Sequence, residues 1–336
     1  METLLFAITA VLPIIILMGI GYFLKHIKFL SDEFLIVANK FVYRISLPAL
    51  LFYNIYKIES FSAIEWNHVW FASAGIIFLF ILGMVVVKLL IPDEKQKGVI
   101  VQVIFRANFV IIGVPLAQAI GGEQAVINLS MISAIAIPLM NILSVLALTM
   151  YIKDGQTGQI KSTILKIIKN PLIIGIVLGL IILFIRSFIP ENNLGDPVFM
   201  LQNQLEFIFL PIQWLAQTTS PLALIVLGGT FEFYVIKHLS KQIFIGTFLR
   251  AFIAPLVVLT AAIIIDNNSA YFNFNYLVYP AFIALFASPT AITGAVMAKE
   301  MDNDADLANQ CVVWTTIISI ISIFLTVLIF RLLGIL

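Results

Sequence analysis

Between Arg106 and Pro115 the chain reads R-A-N-F-V-I-I-G-V-P, and from Phe286 to Gly294 it reads F-A-S-P-T-A-I-T-G, each inside an otherwise apolar segment. Both put polar side chains, a flexible glycine and a proline lacking an N–H where a membrane helix should be uniform. Lipid offers no substitute for a lost backbone hydrogen bond, so such a break is tolerated only against protein or a water-filled cavity. The chemistry on offer is binding. Starting ends of half-helices near Pro115 and Thr290 present free N–H groups and partial positive charge to an anion. Finishing ends near Asn108 and Ala287 present carbonyl oxygens suited to a cation or a donor. Asn108, Gly113, Pro115, Ser288, Pro289, Thr290 and Thr293 therefore make the candidate substrate site, with Arg106 beside them as a positive charge. For one isolated proline the plain alternative is a kink that only shapes packing. A second break in the matching place of the other half weighs against it.

Intramembrane charge is positive. Arg44, Arg106 and Arg250 lie about 8–10 residues, or ~12–15 Å, in from the cytoplasmic ends of their spans by helical rise. Each either snorkels to the headgroups or serves the site. Glu206, Glu232 and Asp266 sit near span ends, and neither broken span carries an acid. A sodium–proton antiporter would be expected to hold midplane carboxylates, so an organic anion is the expected cargo. Asn141 and the run Gln213, Gln217, Thr218, Thr219, Ser220 either line a cavity or bond between helices. His26, His68 and His238 lack metal spacing, and Cys311 is the single cysteine. No Walker loop and no nucleophile with a partnered base is present. The expectation is no enzyme, no cofactor and no metal.

These residues need membrane helices to position them. The 336 residues are 61 % apolar and only 11 % charged, which points to an all-α polytopic membrane protein and not to a nucleic-acid binder. Ten transmembrane spans are predicted at 3–24, 34–55, 67–91, 98–121, 123–152, 171–189, 203–232, 241–265, 275–299 and 305–333. Each is long enough for the ~30 Å of hydrocarbon. Loops after odd-numbered spans hold Lys25, Lys28, Lys95, Lys97, Lys153, Lys161, Lys166, Lys169, Lys237, Lys241 and Lys299. Loops after even-numbered ones hold Lys57 and, close by, Arg186. Positive loops stay in the cytoplasm, so both termini are expected outside.

Ten spans divide five and five, with the second half inverted. Ordered internal similarity supports this. P-I-I-I-L from Pro13 matches P-L-I-I-G from Pro171, and S-L-P-A-L-L-F from Ser46 matches S-P-L-A-L-I-V from Ser220. G-V-P-L-A from Gly113 matches G-A-V-M-A from Gly294, and Asn128 pairs with Asn309. The halves are 1–152 and 171–336. Discontinuous helices in corresponding places of inverted halves point to the site of a secondary transporter.

On R-I-S-L-P-A-L-L-F (Arg44 to Phe52), the span 4 motif and S-P-T-A in span 9, the chain resembles the auxin efflux carrier family, in particular its bacterial malate-permease-like members. The resemblance implies a fold similar to bile-acid symporters and broken-helix antiporters. A scaffold (helices 1, 2, 6 and 7) would carry a mobile crossover domain (helices 3–5 and 8–10), and a homodimer would form through helices 2 and 7. It also implies transport of a small organic anion such as malate or malonate across the bacterial cytoplasmic membrane, coupled to a proton, to sodium or to neither. Span 9 departs from a symmetric pattern, since no asparagine there mirrors Asn108. The alternatives are a sodium-coupled symporter of larger amphipathic anions and a membrane sensor without turnover.

Overall fold

The computed structural model describes residues 2–58, 65–152, 171–190, 199–231, 239–269, 272, 274 and 276–336. The basic stretch with Lys153, Lys161, Lys166 and Lys169 lies outside these residues, as do Glu232, Lys237 and His238. Among the described residues no strand occurs, and helix is found within every one of the predicted spans. The helices are α1 (Glu2–His26), α2 (Asp32–Phe41), α3 (Leu47–Tyr56), α4 (Trp66–Leu90), α5 (Glu94–Phe105), α6 (Val114–Thr149) and α7 (Pro171–Arg186). They continue as α8 (Glu206–Gly229), α9 (Ser240–Phe248), α10 (Ala254–Asn268), α11 (Tyr279–Ala287), α12 (Ile292–Glu300) and α13 (Ala305–Leu332). Seven stretches among the described residues are long and apolar enough to cross a membrane. The chain is thus an all-helical polytopic membrane protein.

Local sequence explains where the helices bend. Among the described residues three wide π turns occur, at Val42–Ser46, Phe109–Gly113 and Leu249–Ile253. Each stops two residues short of a proline: Pro48, Pro115 and Pro255. A proline lacks the N–H that would close the preceding turn, and its ring crowds the carbonyl four residues back. Widening the turn by one residue relieves both problems without ending the helix. In α6 the break comes from glycine instead. Gly122 has φ 65° and ψ −156°, a region that side chains other than hydrogen enter only at a cost. Two helices abut there, at the boundary expected between spans 4 and 5.

Burial sorts the helices into a centre and a periphery. Every residue of α11 is buried, as is the run from Gly98 to Phe105 in α5. Apolar helices buried all round belong at the core of the bundle. The outer helices instead expose large aliphatic and aromatic side chains, such as Leu4, Leu12 and Ile16 on α1 and Phe78, Ile81 and Val85 on α4. α1 packs along α8, α3 packs along α7, and α8 also contacts α3. α4, α5, α6 and α11 cluster around the buried centre.

The α1–α8 seam is closed by glycines. A Cβ on Gly228 would fall inside the carbonyl of Met18, and one on Gly21 would fall inside that of Ile225. Gly228→Ala is therefore expected to force the helices apart, at roughly 1–3 kcal/mol, lowering the midpoint of thermal unfolding in detergent. Gly19→Ala is the control, because its Cβ would meet nothing within 4 Å, and it should leave the midpoint unchanged.

Candidate functional site

Helix α5 ends at Phe105, where Arg106 leaves the helical region at φ −86° and ψ 97°. Helix α11 ends at Ala287, and Ser288 is extended at φ −60° and ψ 147°. That is the conformation a following proline imposes, here Pro289. The two interrupted segments cross and pair antiparallel at Ala107 and Thr290. The Asn108 N–H donates to the Pro289 carbonyl at 2.7 Å, and the Ala291 N–H donates to the Arg106 carbonyl at 3.0 Å. The Thr290 hydroxyl also donates to the Arg106 carbonyl, at 3.2 Å, while the Thr290 N–H reaches the Thr315 hydroxyl of α13 at 3.2 Å. These bonds satisfy the N–H groups of Asn108, Thr290 and Ala291 and the carbonyls of Arg106 and Pro289 within the protein. The α-helix restarts at Val114 with Pro115 in its first turn, as expected, and a π turn from Phe109 to Gly113 leads into it.

The three arginines separate. Arg250 is fully buried. Its Nε donates to the Ser288 carbonyl at 2.8 Å, and Nη2 donates to the carbonyls of Ser288 at 2.6 Å and Leu285 at 3.1 Å. Its Nη1 donates to the Ile104 carbonyl at 3.1 Å. One guanidinium therefore caps the finishing ends of both broken helices. Arg106 is buried at 7 % exposure. It donates to the Met140 carbonyl at 3.2 Å, the Ser144 hydroxyl at 2.6 Å, the Asn141 side-chain carbonyl at 2.8 Å and the Thr293 hydroxyl at 3.1 Å. Its Nε and the Asn108 amide nitrogen are buried without a hydrogen-bond partner. Arg44 is exposed on the flank of the first π turn, the placement that snorkelling requires.

A cavity of about 70 Å³ lies beside the crossing. Its polar wall is Arg106, Asn108, Asn141, Thr293 and Tyr43. Leu47 of α3 and Leu172 of α7 contribute apolar wall. Residues 107–111 and 291–293 also line it, so the cavity rests on the starting ends of both second half-helices. Of the residues singled out from sequence, Arg106, Asn108 and Thr293 thus come together on one wall. Ser288 and Thr290 lie behind that wall, their hydroxyls bonded to the carbonyls of Ala284 and Arg106. Pro289 faces a narrow apolar space against α1 and α13. Gly113 lets the restarted helix pass the Ala284 carbonyl, which a Cβ would approach to 2.7 Å, and Pro115 follows within that helix. The span 7 run is not in the cavity wall, and its Thr218 and Thr219 bond the Leu215 carbonyl of their own helix. Asn141, left between two readings, both lines the cavity and bonds Arg106.

No carboxylate faces either buried arginine among the described residues, where the ion pairs are Lys25–Asp32 and Lys57–Glu123. No group of three or more potential metal ligands occurs there either.

Residues 6–327 match the pattern of the membrane transport protein family. An uncharacterized transporter of Methanothermobacter thermautotrophicus is 23 % identical over 315 residues, covering 93 % of this chain and 95 % of its own. A second, from Methanocaldococcus jannaschii, is 25 % identical over 330 residues, covering 94 % and 96 %.

The crossing can be tested one bond at a time. Ala291 has φ −75°, which proline adopts, but Ala291→Pro replaces the N–H that holds the Arg106 carbonyl with a ring carbon that crowds its oxygen, so the crossing must open as well. Loss of about 3 kcal/mol or more of stability is expected, read as a lower unfolding midpoint. Thr290→Val, which spares both backbone bonds, should cost roughly 0.5–1.5 kcal/mol.

Proposed function

Since the chain belongs to the membrane transport protein family, that of the auxin efflux carriers, we propose that this membrane transporter is a secondary carrier of a small dicarboxylate, malate- or malonate-like. The carrying observation is Arg106, a buried guanidinium in a cavity wall with neutral partners only and one N–H still unbonded. A buried charge without a counter-charge costs several kcal/mol. An anion entering the cavity supplies the missing partner. The two half-helix starts beneath it each contribute roughly half a positive charge. With Arg106 they make a site of about two positive charges, matched to a dianion. Asn108 and Asn141 offer amides and Thr293 a hydroxyl to the carboxylate oxygens. A cavity of about 70 Å³ suits a small acid better than a large amphipathic one.

In this reading the chain crosses the cytoplasmic membrane ten times as two inverted repeats, 1–152 and 171–336, with both termini outside. The packing is what such a repeat demands. Exchanging the halves turns the α1–α8 contact into the α7–α3 contact, and both are extensive. The glycines agree: Gly21 lies against Ile225, and Gly179 of α7 lies against Phe52 of α3. α1, α2, α3, α7 and α8 would be the scaffold, and the crossing helices with α4, α6, α9, α10 and α13 the mobile domain. The cavity is walled from both sides, so a shift between them would expose it alternately. A homodimer through the second and seventh spans completes the proposal.

The test is counterflow of labelled malate in proteoliposomes. Accumulation that unlabelled malonate or succinate competes away is expected. Arg106→Gln should reduce it about 30-fold or more, in line with removing one partner of a buried charge pair. Asn108→Ala should reduce it less. Unaltered counterflow by Arg106→Gln in folded protein would overturn the assignment of the site, and no accumulation of any small carboxylate would overturn the substrate class.

A further inference from the structure

The carbonyls that hold Arg250 are not arbitrary. In a continuous helix the Leu285 carbonyl would accept from the N–H of residue 289, which is proline. The Ile104 carbonyl would accept from the Asn108 N–H, which instead goes across the crossing to Pro289. The Ser288 carbonyl lies in the break itself. Arg250 thus takes up acceptors that the two breaks leave over. Each finishing end carries roughly half a negative charge, and together they balance about one cation. Carbonyls converging from two helix ends at membrane depth are what a transporter offers to a coupling metal ion. Here the place is taken by a side chain anchored in the π turn of Leu249–Ile253.

We propose that Arg250 is a resident cation standing where a coupling metal ion would bind, so that the crossing of this transporter takes up no sodium. The proposal rests on the transporter reading but not on the identity of the anion. Arg250 positions the half-helices without touching the cavity, and its wall does not include it. The planar guanidinium reaches three carbonyls from one fixed stem, which a dissociable ion of the same charge would do only while bound. The crossing is therefore held in loaded and unloaded carrier alike.

The test needs no transported substrate, so its outcome is separate from that of malate counterflow. Thermal unfolding of purified full-length protein would be followed at equal ionic strength in sodium, potassium or N-methylglucamine chloride. Wild type should give one midpoint in all three; a saturable rise specific to sodium would overturn the proposal. Arg250→Ala should unfold at lower temperature and be stabilised by methylguanidinium over tetramethylammonium, by about 2–4 °C near saturation. Wild type should respond to those two cations alike. A folded Arg250→Ala that ignores methylguanidinium would also overturn the proposal. If that variant does not fold, the wild-type comparison decides alone.

Discussion

Backbone hydrogen bonds that lipid cannot replace set the terms for this molecule. Breaking two helices at membrane depth frees N–H groups and carbonyls that cost several kcal/mol each if left unpaired in hydrocarbon. Their partners are found within one small region. N–H groups of Asn108 and Ala291 cross to the opposite segment, that of Thr290 goes to Thr315, and the carbonyls of Ile104, Leu285 and Ser288 go to Arg250. Complete burial of α11 and of the end of α5 follows. Only protein on every side can supply this many fixed partners.

The crossing also sorts charge. Both finishing ends converge on Arg250, so their negative poles are neutralised inside the bundle. Both starting ends border the cavity, where nothing anionic in the described protein offsets them or Arg106. Every guanidinium nitrogen of Arg250 donates to a carbonyl, while the Nε of Arg106 has no hydrogen-bond partner. The proposed division into a structural and a binding cation rests on this difference between two buried arginines.

Much of this was legible in the chain. Prolines, glycines and charges marked the breaks, and helix occurs at each predicted span because long apolar runs admit little else in a membrane. Asn108, Arg106 and Thr293 were singled out for their place at a discontinuity, and the structure puts all three on one cavity wall. The partners of Arg250 were not legible, because depth along one helix does not say which neighbour its side chain meets. Tyr43 was not singled out, because a lone tyrosine in an apolar span gives no sign of which neighbour it meets. The restart of α-helix with Pro115 in its first turn was legible, and the π turn from Phe109 that precedes it was not. A proline reads in sequence as a helix breaker, whereas three of them here sit downstream of turns already widened to admit them.

That device bears on how a carrier with these parts would work. A dicarboxylate in the cavity would bring the crossing close to electrical balance, two negative charges against Arg106 and two half-helix starts. Without it, moving the crossing past the apolar flank made by Leu47 and Leu172 would carry an uncompensated charge through a region of low dielectric, at several kcal/mol. The loaded carrier would then move more readily than the empty one, which favours exchange of one anion for another over slippage. Arg250 adds nothing to that difference, because its charge is balanced by carbonyls that travel with it. Arg250 and its acceptors Ile104, Leu285 and Ser288 all belong to the proposed mobile domain, so the cation and its carbonyls would move together. In the proposed carrier, coupling by electrostatic balance would need only the substrate as its variable, with the fixed charges supplied by the protein.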